Sequence, residues 1–163
     1  MDAGSGAAVA WALAIERSAA GHFIRESAWV YPWANVVHVL GVALMLGAIL
    51  VFDLRLLGWL QAARPADAAA LALPVARAGF AMAVPTGIVL FVAEANGVVT
   101  NWVFLVKFAA IAGGLANIAV FHRGRFRDVA TWTTVPAAAR RAAGLSLAAW
   151  LLAAVCGRYA AYV

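Results

Sequence analysis

The chain has 163 residues, of which 66% are hydrophobic and 12% charged, and its mean hydropathy is strongly positive. So few polar residues cannot cover a water-soluble globule, and four apolar stretches of about 20 residues use nearly the whole length, which leaves no room for a soluble catalytic domain. The formal charge of +5 does not point to nucleic acid, because the arginines fall between apolar segments and do not line an aromatic-interleaved polar face.

The opening "MDAGSGAAVAWALAIERS" has no basic n-region, and its apolar stretch ends at Glu16-Arg17, so it reads as part of the mature protein and not as a secretory signal. Across 7–29, apolar Val9, Leu13, Ile15, Phe23, Ile24 and Trp29 mix with Glu16, Arg17, Arg25 and Glu26. That mixture predicts an amphipathic helix lying on the outer membrane surface, broken at Gly21. Four spans follow, at about 33–52, 78–93, 102–121 and 142–162, and together they predict an all-α four-helix bundle forming one membrane domain. Between the first two, "ARPADAAALALP" predicts a short inner-surface helix that stops before Pro74. Pro85 should kink the second span near 81–84 and free a backbone carbonyl there.

Arg55, Arg64, Arg77, Arg123, Arg125, Arg127, Arg140 and Arg141 lie in or beside the first and third connections, while "EANGVVTN" has no basic residue. The positive-inside rule then puts both termini outside and the arginine-rich ends in the cytoplasm, as expected of a bacterial inner-membrane protein. Tyr31, Trp33, Trp102, Tyr159 and Tyr162 fall where an outer aromatic belt would lie.

Counted from the outer helix starts, His38 and Lys107 each lie about five residues deep, roughly 8 Å at 1.5 Å per residue. Glu94, Arg158 and Asn35 share that end of the bundle. The expectation is an outer polar pocket in which Lys107 pairs with Glu94, with the surface segment bearing Arg25 and Glu26 above it. Snorkelling of Lys107 and Arg158 to the headgroups, a structural ion pair and a functional site all remain open readings. A second, inner layer should gather Asp53, Arg55, Arg77, Asn117, His122 and Arg123, with Asp53 pairing to Arg77 or Arg123 and the layer fixing helix register.

Two imidazoles from different helices can hold a haem b iron. His38 and His122 are offset by roughly 22 Å along parallel helices, too far to share one metal, so His22 with His38 is the pair that could bind haem or copper. Met45 and Met82 could soften such a site toward copper, although methionine in an apolar helix is usually core filler. Cys156 stands alone, which excludes an intrachain disulfide and a paired-cysteine metal knuckle. Gly41, Gly47, Gly113 and Gly114 predict close helix packing. Gly114, seven residues after Lys107, turns the lysine's face toward a neighbouring helix.

The strings "IRESAWVYPWANVVHVLGVALMLGAILVFDLRLLG", "AGFAMAVPTGIVLFVAE" and "NIAVFHR" resemble a bacterial family of small four-span inner-membrane proteins catalogued as a domain of unknown function. The resemblance covers roughly 23–123 and implies that Arg25, Glu26, Pro32, His38, Asp53, Arg55, Gly87 and His122 are motif residues. More distantly, the arrangement is similar to membrane cytochromes b and copper-resistance membrane proteins, which implies haem or copper as cofactor. Two functions are therefore expected as alternatives. One is a small redox- or metal-handling protein using His38 and His22 in the outer pocket. The other is an accessory subunit or small-ligand binder, with the bilayer, a membrane or periplasmic partner or a second copy as its contacts. No Gly-x-Ser-x-Gly elbow, His-Glu-x-x-His or phosphate loop is present. Transport would need oligomerisation, because four spans without an inverted repeat enclose no pathway.

Overall fold

The computed structural model of the chain describes residues 3–163, side chains excepted at 3–5 and 125–127. The side chains of Arg125 and Arg127, counted in the charge argument, thus lie outside the described residues. The described residues form helices and no strands: α1 (Ala3–Glu16), α2 (Ala19–Glu26), α3 (Val30–Leu57), α4 (Pro65–Ala93), α5 (Ala95–Thr100), α6 (Trp102–Arg123), a 3-10 turn (Arg125–Thr131) and α7 (Ala137–Tyr159). Helices α3, α4, α6 and α7 are long and apolar enough to cross a membrane, and the architecture is the all-α bundle expected from sequence.

The N-terminal helix breaks at Arg17-Ser18 and not at Gly21. Ser18 caps α2 by accepting the Gly21 N–H at 3.2 Å. Gly21 sits one turn into α2, where a Cβ would stand 2.2 Å from the Glu16 carbonyl oxygen, so its bareness lets α2 fold back onto the end of α1. Helix α3 runs past Phe52 to Leu57 and stops at Gly58, whose φ of 97° is left-handed and whose N–H bonds the Arg55 carbonyl. Asp53 and Arg55 therefore belong to the helix.

Helix α4 is the larger departure. Pro65 opens it at a position that has no intrahelical donor to lose, and the helix then continues through Pro74 and Pro85 for 29 residues. Each internal proline removes one backbone hydrogen bond. The separate surface helix expected before Pro74 does not form, because buried Ala68, Ala69, Ala72 and Ala76 on both sides of it pack into one core with Ile49, Phe52 and Leu56. Tertiary burial outweighs the local break.

Glycines set the closest approach. A Cβ on Gly79 would stand 2.5 Å from both the Gly41 carbonyl oxygen and the Met45 nitrogen, so α3 and α4 touch backbone to backbone. On the other pair, Gly114 lies under the Trp150 indole. Gly47 and Gly113, also expected in seams, have no atom within 4 Å of an added Cβ.

Packing runs α4 against α3, α3 against α7 and α7 against α6, but no Cα of α4 comes within 8 Å of a Cα of α6. The bundle is thus a ring with one open seam. Helix α5 bridges the seam at one end, and at the other the 3-10 turn lies against α4, α6 and α7, with an Arg64 Nη2 to Ala130 carbonyl bond of 3.5 Å.

Candidate functional site

The outer polar residues do not converge. The Glu94 carboxylate, exposed at the end of α4, accepts the Tyr31 hydroxyl at 2.7 Å, and Arg25 donates to the Ala93 carbonyl at 2.9 Å, closing an orphan carbonyl at the same helix end. Glu16 accepts the Asn96 N–H at 2.9 Å. On the exposed face of α2, His22 meets Glu26 at 3.5 Å, which is the ion pair present among the described residues. Asn35 is exposed, and exposed Arg158 lies over the Tyr162 ring and bonds its hydroxyl.

The pairing expected between Lys107 and Glu94 is therefore not made. Lys107 turns toward α7, as the position of Gly114 suggests, with its ammonium 5.3 Å from the Phe104 ring centroid and 3.4 Å from where a Gly157 Cβ would stand. The α4–α6 seam that would have joined it to Glu94 is the open one.

His38 occupies the α3–α4 seam. Its Nδ1 is 2.8 Å from the Ala83 carbonyl oxygen, an acceptor, so Nδ1 carries the proton. The imidazole fits because Gly87 has no Cβ; one would stand 3.0 Å from the ring. One turn around Pro85, Thr86 donates to the Met82 carbonyl at 2.6 Å. His38 and Thr86 together hold carbonyls in the stretch where the proline interrupts the ladder. His22 and His38 thus have separate partners. His122, at the other end of the bundle, has Nδ1 3.0 Å from the Ile118 carbonyl. Among the described residues no group of three or more His, Cys, Asp or Glu gathers as a metal-binding set.

The inner residues divide in a different way. A chamber of about 250 Å³ lies between all four long helices, with Asp53, Ser146, Asn117, His122 and Arg77 as polar lining and Met45, Phe52, Phe80, Leu115, Phe121 and Trp150 among its apolar walls. Asp53 is 4% exposed. Ser146 on α7 is the polar side chain beside its carboxylate, and Oδ2 has no hydrogen-bond partner. Trp150, also 4% exposed, has an unpartnered Nε1–H. Asn117 is committed elsewhere, donating to the Ala142 carbonyl at 2.9 Å.

Asp53 pairs with neither Arg77 nor Arg123. Arg123 is exposed at the end of α6. Arg77 lies two residues before Gly79, which touches Met45, so it is level with the middle of α3, about 12 Å of helix rise from Asp53. Arg55 turns outward, its Nε bonding the Ala63 carbonyl in the α3–α4 connection. Of the inner layer expected from sequence, Asp53, Arg77, Asn117 and His122 thus line one chamber without an ion pair between Asp53 and Arg77, while Arg55 and Arg123 lie outside it.

The chamber reaches the surface through the open seam. Phe80 on α4 is 36% exposed and Leu115 on α6 is 41% exposed, and both also line the interior. Arg77, exposed, stands on the α4 side of the same opening. Sequence reasoning missed Ser146 and Trp150. Their i,i+4 spacing on a face with buried Ala139, Ala143 and Ala153 was the available signal. No family model, curated protein or solved structure matches the chain.

Proposed function

We propose that this is a multi-pass inner-membrane protein that takes a small, largely apolar molecule from the bilayer into the inner chamber and holds its polar group between Asp53 and Trp150. The observation that carries this reading is that two residues on the wall of one cavity each leave a buried hydrogen-bonding atom of opposite character without a partner, the Asp53 Oδ2 acceptor and the Trp150 Nε1 donor. Buried polar atoms are nearly always satisfied, and leaving one unmade costs about 1–3 kcal/mol. Water is a poor substitute, since an ordered water needs two to four polar partners and most of this wall is aliphatic or aromatic. A ligand that donates to Asp53 and accepts from Trp150 satisfies both and fills the apolar space. Entry is lateral, between Phe80 and Leu115. By the arginine distribution, the Asp53 end faces the cytoplasm.

The test uses 5-fluorotryptophan-labelled protein in lipid nanodiscs, with the Trp150 resonance identified by Trp150→Phe. Benzyl alcohol should shift that resonance saturably and more than those of exposed Trp33 and Trp102, and Leu115→Phe at the opening should weaken the effect. A Trp150 resonance that moves no more than its lipid-facing counterparts would overturn the reading.

A further inference from the structure

Resting on the chamber reading, we infer that the preferred ligands are lipophilic cations, ammonium compounds with an apolar body. The chamber contains one acidic side chain, Asp53, and the basic group on its wall, Arg77, is about 12 Å of helix rise away and makes no ion pair with it among the described residues. Among the described residues, Ser146 is the polar side chain beside the carboxylate, Asn117 is tied to Ala142 and His122 has Nδ1 against Ile118, and none bonds Oδ2.

An anionic ligand would put a second negative charge into an apolar cavity. A neutral hydroxyl would satisfy Oδ2 but give an ionised Asp53 no counter-charge. A protonated amine does both through its N–H, and an oxygen on its apolar body can accept from Trp150; a buried charge is tolerable when it is paired and hydrogen-bonded. The walls fit the same class: Phe52, Phe80, Phe121 and Trp150 come from all four helices, and aromatic faces around a desolvated cation attract it. The bilayer supplies such molecules by partitioning, and the opening lies on the flank of the bundle, where a lipid-dissolved amphiphile arrives. Arg77 at the opening bears on the route of entry, and Asp53 on retention.

Two probes separate charge from shape: benzylammonium and its neutral carbon isostere ethylbenzene, each titrated against the Trp150 fluorine resonance in nanodiscs and corrected for partitioning into protein-free discs. The expected result is a cation bound at least 10-fold tighter than the isostere, with the ratio falling to about 1 in Asp53→Asn. Phe80→Leu, at an exposed position where folding is not at risk, should weaken the cation more than the isostere. A wild-type ratio near 1, or a ratio that survives Asp53→Asn, overturns the cation assignment while benzyl alcohol binding leaves the chamber reading standing. Silence of Trp150 toward all three probes removes both.

Discussion

The two polar ends of this bundle look alike in sequence and differ in accounting. Near the α1–α2 end, Arg25, Tyr31, His38 and Glu16 each find a partner on α4 or α5 at 2.7–2.9 Å, and one buried atom, Asn96 Oδ1, is left without a partner. Near the arginine-rich end, Asp53 and Trp150 are more deeply buried and each leaves an atom unbonded. Satisfied polar atoms hold helices in register. Unsatisfied ones at low exposure are a standing cost, and such costs persist where a ligand relieves them. Two such residues on the wall of one chamber, against a lone Asn96 Oδ1 at the other end, separate site from architecture.

The harshest way to break that division is to separate the helices both regions share. Gly79→Val would drive its side chain into the Gly41 and Met45 backbones, neither of which can rotate away. Overpacking costs about 1–3 kcal/mol and more where backbone is struck, so the variant should lose cooperative thermal unfolding in detergent and Trp150 should cease to respond to benzyl alcohol. Melting within a few degrees of wild type would mean that the seam is looser than drawn.

A smaller but more discriminating effect is one of sign. His38→Leu removes a satisfied interhelical bond beside Pro85 and leaves the Ala83 carbonyl to the Thr86 hydroxyl at 3.2 Å, a loss on the order of 1 kcal/mol for membrane helices. Asp53→Leu removes a buried carboxylate that lacks a counter-charge, and should stabilise the empty protein by about 1–3 kcal/mol while abolishing cation binding. Stability in both cases is read from the unfolding midpoint in the same detergent. Equal signs would erase the distinction between the two ends.

What could be read in advance follows from which quantities are local. Span composition, the Gly41 contact and the turn of Lys107 toward a neighbouring helix depend on residues a few positions apart on one helix, and all were legible. Relative height between helices was not. Counting from apparent span starts placed Arg77 beside Asp53, but α4 begins at Pro65 and slides past α3 until Gly79 meets Gly41, which lifts Arg77 to mid-bundle. The same slide takes the end of α4 to Tyr31, and Lys107 meets α7 instead. Proline misled the reading of α4 because burial of alanines on both sides of Pro74 is a tertiary fact. The chamber itself comes from the missing α4–α6 contact, and an absent contact leaves no mark on either helix.

The smallest expected effect tests the outer end directly. If Lys107 and Glu94 met, replacing either would strand the other, and the double change would cost less than the sum. In the structure Glu94 holds Tyr31, while Lys107 lies against Phe104 and Gly157, so the two share no partner. In a double-mutant cycle of Glu94→Gln and Lys107→Met, unfolding free energies should add within about 0.3–0.5 kcal/mol, the range found for independent sites. Coupling beyond that range would bring the two charges together and revive a convergent outer pocket. Additivity leaves the outer residues as separate clasps, each acting on its own pair of elements, and Asp53 as the buried carboxylate without an ion-pair partner among the described residues.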